Sequence, residues 1–381
     1  MRRGGVFMIG NQRRTNSNNP ESREGPSIAA PSKPHGLAHA VAVWIRAMRA
    51  PFFTATVASV LVGAAVAARD LDAAGVAGID LLLLALALVG AIAAHAGTNL
   101  ANDYGDHLGG TDEINEAPGR FNGGSRVIQS GLLTPRSVLA AAAIAFGVCI
   151  VCGLAINRSI AGAWYAPTPL MWLGAIGVSL GVAYTLGPLR LSYEGLGEVA
   201  IAIGFGPVMV LGAHYVLTAT RLDHWHWTGP ALASLPVAVM TMLIVWINQF
   251  QDAPADAASA KRNWVVRLAG PRLDYRRPFR WYVAFNVAAF TLVGVLALPP
   301  LADGPGTPWA AIAMLPAVLL VRTIPAAHRW VTATAAGTTD WRRRSRALEP
   351  VNAATIGMHL GVSALLASSY VIDLLVTGPG S

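Results

Sequence analysis

Apolar residues run along this chain in nine stretches, near 51–68, 77–101, 137–156, 168–187, 195–218, 229–250, 281–300, 307–324 and 353–376, with short polar links between them. A helix that crosses a bilayer needs about 20 mostly apolar residues, so each stretch predicts one spanning helix. The expected fold is all-α and polytopic, with nine transmembrane helices. The first 40 residues carry no apolar run and are rich in Asn, Ser, Pro, Gly and Arg. They are expected to form a disordered tail over 1–40, leaving a membrane-embedded domain over 41–381. No signal-peptide core precedes the first run, so the first span is expected to insert as its own anchor.

Composition sharpens this picture. Hydrophobic residues make up 54% of the 381 and charged residues 13%, with a mean hydropathy of +0.48. Soluble domains carry roughly 25% charged residues, and a water-soluble enzyme is excluded. The two cysteines, Cys149 and Cys152, lie inside an apolar run. That placement reads as helix packing and rules out a disulfide scaffold.

The charges assign an orientation. In the nine-span layout, 25 of the 28 Lys and Arg residues fall on one side, and Arg69, Arg158 and Arg221 fall on the other. Basic residues gather on the cytoplasmic side of a membrane protein. The N-terminus is therefore expected in the cytoplasm and the C-terminus outside, in the inner (plasma) membrane. The net charge of +8 is that asymmetry. It is no nucleic-acid footprint, since no basic and aromatic interleaving suggests a base-stacking surface. No sequence feature specifies an oligomeric state.

The acidic residues break the pattern. Asp103, Asp106, Asp112, Glu113 and Glu116 follow the second run, and Asp252 and Asp256 follow the sixth, both on the basic side. The first group reads NLANDYGDHLGGTD over 99–112, in which Asn99, Asp103 and Asp106 share one helical face. The second reads NQFQDAPADAASAKR over 248–262, with Asn248, Asp252 and Asp256 at i, i+4 and i+8. Pro254 disfavours an unbroken helix there and predicts a turn at the helix end. The matched spacing, four spans apart, suggests two four-helix units plus a ninth helix.

Carboxylates stacked on one face repel, and near a bilayer such groups usually serve ion or substrate paths. A divalent cation removes the penalty. Mg²⁺ prefers hard oxygen ligands and is commonly held by one or two carboxylates plus substrate phosphates. Asp103, Asp106, Asp252 and Asp256 are accordingly the candidate metal ligands and catalytic residues of a clamp for a Mg²⁺-bound diphosphate. Lys261, Arg126 and Arg49 lie close in sequence and could bind phosphate oxygens. Each basic residue taken singly reads first as an interfacial anchor, as the run from Arg342 to Arg346 is expected to be; it is the place of Lys261 and Arg126 beside the acidic motifs that argues for phosphate. His95 and His107 flank the first motif and are read as bundle hydrogen-bonders. His224 and His226 belong to an interfacial belt. Glu198, at a helix start, is read as favoured by the helix dipole, with a role in positioning a substrate or accepting a proton as the alternative.

The paired motifs resemble those of the UbiA superfamily of membrane prenyltransferases. NDYGD with GTD, RVIQSGLLTPR at 126–136 and YTLGPLRLSYEGLGE at 184–198 are similar to its menaquinone-pathway branch, the 1,4-dihydroxy-2-naphthoate polyprenyltransferases. The likeness covers roughly 40–376. It implies nine helices around a central cavity capped by cytoplasmic loops, with Mg²⁺ as cofactor. The substrates would be a polyprenyl diphosphate and a small aromatic acceptor. It further implies a first arm of Asn99, Asn102, Asp103 and Asp106 with Asp112, and a second of Asn248, Asp252 and Asp256. Tyr184 matches the tyrosine opening the loop after the fourth helix. Pro188 and Leu189 stand where many relatives carry a lysine, which makes Arg190 the candidate replacement. Two rival readings are a superfamily member with another acceptor (hydroxybenzoate, homogentisate or a non-quinone lipid) and a cation-coupled secondary transporter. Transporters place such carboxylates near the bilayer midplane, whereas these sit at span ends.

Overall fold

The computed structural model describes residues 36–302, 304–335 and 340–377, and the tail expected over 1–40 lies outside them up to residue 35. Residues 37–40 already belong to the first helix. The described elements are all helical: α1 (Leu37–Ala47), α2 (Phe53–Ala73), α3 (Leu81–Leu108), α4 (Thr111–Ile114), α5 (Pro135–Ala161) and α6 (Pro169–Ala183) in the first half. The second half contains α7 (Gly197–Ile203), α8 (Met209–Thr218), α9 (Thr228–Ala258), α10 (Trp264–Ala269), α11 (Arg276–Leu296), α12 (Pro299–Ala302), α13 (Leu320–Ala335) and α14 (Trp341–Thr377). A 3₁₀ segment, Pro308–Leu319, leads into α13. A π-helical turn, Gly204–Val208, joins α7 to α8 around Pro207.

Among the described residues, eight helices are long and apolar enough to cross a membrane. They account for eight of the nine predicted runs. The remaining run, 168–187, is α6, whose 15 residues span about 22 Å at 1.5 Å per residue. That falls short of a hydrocarbon core of about 30 Å, so the count of nine is not reached by length. Pro169 at the first helical position starts α6 late. After Tyr184 the chain turns back on itself, with Leu191 N–H donating to Ala183 O at 2.9 Å.

Helix starts follow local chemistry. Asp80 caps α3 by accepting from the backbone of Leu82 and Leu83, and Thr134 caps α5 ahead of Pro135, satisfying amides a helix start leaves unpaired. Lipid tails are as apolar as Leu, so helices in a membrane associate through close packing of small residues and through polar contacts. Gly63 shows the first: a Cβ there would run into the Val210 carbonyl where α2 meets α8. The second appears in a buried group joining α2 to α8. Asp70 takes Arg69 at 2.9 Å and His214 Nε2 at 3.0 Å, while Trp225 Nε1 donates to His214 Nδ1 at 3.1 Å.

The most buried span is α9. Trp246 and Phe250 are buried, Phe250 stacking on Tyr275 with centroids 5.5 Å apart. Contrary to the expected turn, α9 continues as helix through Pro254 as far as Ala258. One missing N–H removes a single ladder bond, and the packed aromatic side of α9 holds the helix past that gap.

Candidate active site

One cavity of about 600 Å³ is lined at its polar end by both acidic groups: Asp106 and Asp112 from the first, Asp252 and Asp256 from the second, with Lys261 beside them. Its other walls are apolar, built from residues such as Leu86, Ile150, Leu173 and Val208, and they include Cys149 and Cys152. Both cysteines are unpaired thiols, consistent with the packing role expected of them.

The first group sits in the last turns of α3 and in α4. Asp106 accepts from Lys261 Nζ at 3.1 and 2.9 Å, from Tyr193 OH at 2.9 Å and from Asn102 Nδ2 at 2.9 Å. Asn102 also reaches Thr185 Oγ1 at 2.8 Å. Asp103 is buried and turned away from the cavity towards Arg49, with which it pairs, and towards the Ser125 amide at 3.3 Å. Arg49 itself lines the cavity, so Asp103 acts on the pocket through that arginine. Asn99 lines the cavity and donates to Met48 O at 2.9 Å.

The second group is held by side chains from distant loops. Asp252 Oδ1 accepts from Asn115 and Asn122, each at 2.9 Å, and Oδ2 accepts from the Gly123 amide at 3.4 Å. Asp256 takes Asn263 Nδ2 at 2.7 Å, while Asn263 Oδ1 caps α10 by accepting from Val266 N–H at 2.9 Å. Lys261 Nζ lies 4.0 Å from Asp256 Oδ1. Asn248 lines the cavity and accepts from Asn352 at 2.6 Å. Thr111 bridges the two groups, meeting Tyr193 OH and Ser259 Oγ at 2.9 Å each.

The electrostatics follow from this crowding. Burial works against the Lys261 ammonium, but Asp106 and Asp256 outweigh it and hold the ammonium well above the usual lysine range. Arg49 is likewise raised by Asp103 against the effect of burial. Asp112 has the opposite fate: burial first, then Asp106 and Asp103, push its carboxyl up to about 8. Burial also raises the Tyr184 phenol, and it pushes that of Tyr193 up to about 12.

The donor set has the chemistry that Mg²⁺ prefers. Among the described residues, Asp103 Oδ2 and Asp112 Oδ2 are buried without a hydrogen-bond partner, and every side-chain ligand offered is a hard oxygen, as Mg²⁺ prefers. No group of three or more His, Cys, Asp or Glu side chains converges as a ready metal cage among the described residues. That arrangement suits a cation that keeps waters and shares its ligands with phosphate oxygens.

Of the residues singled out by sequence, Arg49, Asn99, Asn102, Asp106, Asp112, Tyr184, Asn248, Asp252, Asp256 and Lys261 line the cavity. Asp103 lies behind Arg49. Arg126 and Arg190 are outside the lining. Arg126 donates to the Asp112 backbone carbonyl, and Arg190 stacks over the Tyr193 ring at 3.7 Å. The Arg342 to Arg346 run is tied into the protein as well, with Arg342 donating to Glu116 O at 2.8 Å and Arg344 lying over the rings of Trp330 and Trp341. Sequence reasoning missed Asn115, Asn122, Tyr193 and Asn263. The amides of the 112–126 loop offered a signal, because paired carboxylates near a membrane need donors.

The sequence profile of the UbiA prenyltransferase family matches residues 56–336. The chain is 34% identical over 237 residues to the 1,4-dihydroxy-2-naphthoate octaprenyltransferase of Mycobacterium tuberculosis, covering 62% of this chain and 71% of that one. It is 26% identical to the protein of the same name from Escherichia coli, over 73% and 82% of the two chains. A UbiA homolog from Archaeoglobus fulgidus, solved bound to GPP and Mg²⁺, superposes with a TM-score of 0.51 at 12% identity, covering 84% of this chain and 99% of that one. That likeness is one of fold.

Proposed function

The chain belongs to the UbiA prenyltransferase family, and on that premise we propose that it transfers a polyprenyl group from a polyprenyl diphosphate to 1,4-dihydroxy-2-naphthoate in menaquinone biosynthesis. The observation that carries the reading is the cavity itself. Its polar end gathers four carboxylates and a lysine, and its remaining walls are apolar, as a donor with a diphosphate head and an isoprenoid tail requires. The acceptor assignment is supported by the names of the relatives at 34% and 26% identity.

The protein is a multi-pass membrane protein. The distribution of its Lys and Arg residues supports an inner-membrane placement with the N-terminus in the cytoplasm and, with α6 counted as a ninth crossing, the C-terminus outside. The diphosphate end of the cavity then opens towards the cytoplasmic side.

In the reaction, the bond between the allylic carbon and oxygen breaks and its electron pair leaves with diphosphate. A ring carbon of the acceptor bonds to the allylic carbon, and that carbon then sheds the group it carried, a proton or, where it bears the carboxylate, CO₂. Asp106, Asp112, Asp252 and Asp256, with Asp103 behind them, would hold Mg²⁺, which supplies charge neutralisation at the departing diphosphate. Lys261 and Arg49 place cationic charge where negative charge grows. Asn99 and Asn248 present amides towards the same end. The apolar walls accommodate the tail and exclude the water that would quench an allylic cation.

Purified protein supplied with a labelled polyprenyl diphosphate, Mg²⁺ and a panel of aromatic acceptors tests this, with the product identified by mass spectrometry. Asp103→Ala and Asp252→Ala should each lower turnover by roughly a hundredfold or more while the protein stays folded. Near-normal turnover in both would refute the assignment of the two acidic groups. Sodium- or proton-driven solute uptake by proteoliposomes, with no prenylated product, would replace enzyme by transporter.

A further inference from the structure

A second polar cluster borders the cavity, unused by either acidic group. Gln249 lines the cavity and is 9% exposed. It lies three residues before Asp252 on α9, about 4.5 Å deeper along the helix axis. Its Nε2 donates to Glu198 Oε1 at 2.9 Å, and the same oxygen accepts from the Trp264 amide at 2.8 Å. Glu198 is wholly buried at the start of α7.

That pairing fixes the orientation of the Gln249 amide. An oxygen already accepting from the Trp264 amide takes the NH₂ end of Gln249 whether or not the carboxyl carries a proton on its other oxygen. The Gln249 carbonyl oxygen, Oε1, is therefore the end left over. It is buried and has no hydrogen-bond partner among the described residues. Ser192 Oγ shares both properties and also lines the cavity. The Ser192 amide donates to the Tyr184 backbone carbonyl at 2.8 Å, and both residues line the cavity. A buried acceptor without a donor is costly, and two of them beside one cavity call for a ligand that brings O–H groups.

We propose that Gln249 and Ser192 form the hydroxyl-recognition subsite for the aromatic acceptor, with Glu198 as the positioning residue that turns the Gln249 carbonyl towards the ligand. This deepens the prenyl-transfer reading and rests on it. Gln249 Oε1 can only accept a hydrogen bond, so it selects a phenolic O–H and disfavours a ring whose hydroxyl is missing or oxidised to a carbonyl. The subsite lies about one turn from Asp252, which brings the hydroxylated ring beside the carbon that departs from diphosphate.

Monohydroxy analogues of the acceptor, with one hydroxyl replaced by hydrogen, read this contact as competitive inhibitors, independently of ring reactivity. In the wild-type protein one analogue should bind about tenfold more weakly than the dihydroxy compound, the effect of one hydrogen bond. Gln249→Leu should erase that difference and raise the acceptor KM about tenfold. Glu198→Ala removes the oxygen that holds the NH₂ end, frees the amide to turn over and should raise the acceptor KM several-fold, leaving the KM for polyprenyl diphosphate unchanged in both variants. Retained binding of polyprenyl diphosphate reports that a variant is folded. The inference is overturned if both variants keep the wild-type acceptor KM, or if the diphosphate KM moves in place of it. Should the variants not fold, equal binding of both analogues and the parent to wild type overturns it by itself. A wild-type protein that prenylates no aromatic acceptor would instead sink the functional reading beneath it.

Discussion

Lys261 is the cation on which the acidic end depends, and replacing it by Met gives a worked test. Its Nζ stands 2.9 Å from Asp106 and 4.0 Å from Asp256. At an effective dielectric of about 20, Coulomb's law gives attractions of about 6 and about 4 kcal/mol, and desolvation of the three groups offsets much of that. Breaking a buried pair by deleting one partner costs about 3–5 kcal/mol, since the remaining charge is left uncompensated. Lys261→Met should lose stability in that range in divalent-free detergent, followed by reversible denaturant unfolding. Asp106→Asn in the same background should recover part of the loss, with a coupling energy of about 2 kcal/mol or more from the double-mutant cycle. Adding Mg²⁺ should raise the Tm of Lys261→Met more than that of wild type. Single and double losses that add within about 0.5 kcal/mol would refute the idea that Lys261 neutralises this cluster.

Other outcomes follow from the same geometry. Asn122→Ala removes one of two amide donors to Asp252 Oδ1; a hydrogen bond to a charged group is worth about 1.5–3 kcal/mol, so kcat/KM should fall at least tenfold in the prenyl-transfer assay. Gly124 has φ +72, and a Cβ there would lie 2.7 Å from Asp112 Oδ2. Gly124→Ala should therefore lower Tm by more than about 1 kcal/mol would, and an unchanged melting curve would contradict that packing. The Asp112 carboxyl titrates near 8 when folded against 3.8 when not, so the folded state binds more protons between those values. Its stabilising contribution is whole below about pH 4 and falls away as pH rises through about 8. In EDTA, the Tm of wild type should fall more between pH 5.5 and 9 than that of Asp112→Asn, and parallel profiles would disprove the shift.

The spans were legible because apolar length is a one-dimensional property, and the acidic motifs because carboxylates at a membrane edge are conspicuous. The limits of the sequence show at particular residues. Pro254 suggested a break, yet α9 continues because Phe250 and its neighbours pack around Tyr275 and Trp330, a tertiary effect that local propensity does not carry. Asp103 and Asp106 share one helical side by spacing, but three residues of rotation are enough to send one carboxylate to Arg49 and the other to Lys261. Asn115 and Asn122 went unnoticed, since their partner Asp252 lies 137 and 130 residues away. Arg190 stood as the candidate replacement for the loop lysine, while its side chain lies flat on Tyr193. Gly90 and Gly97 in α3 give no hint in sequence that Cys152 and Phe146 lean against them.

Lys261 to Asp106, Thr111 to Ser259, and Asn115 to Asp252 are ties that the polypeptide makes to itself. An incoming molecule therefore meets two halves that are already clasped. The loss of freedom that accompanies drawing distant loops together has occurred during folding, and little of it is left for the moment of encounter. Selectivity at this mouth then rests on how closely a newcomer matches groups that are already held in place.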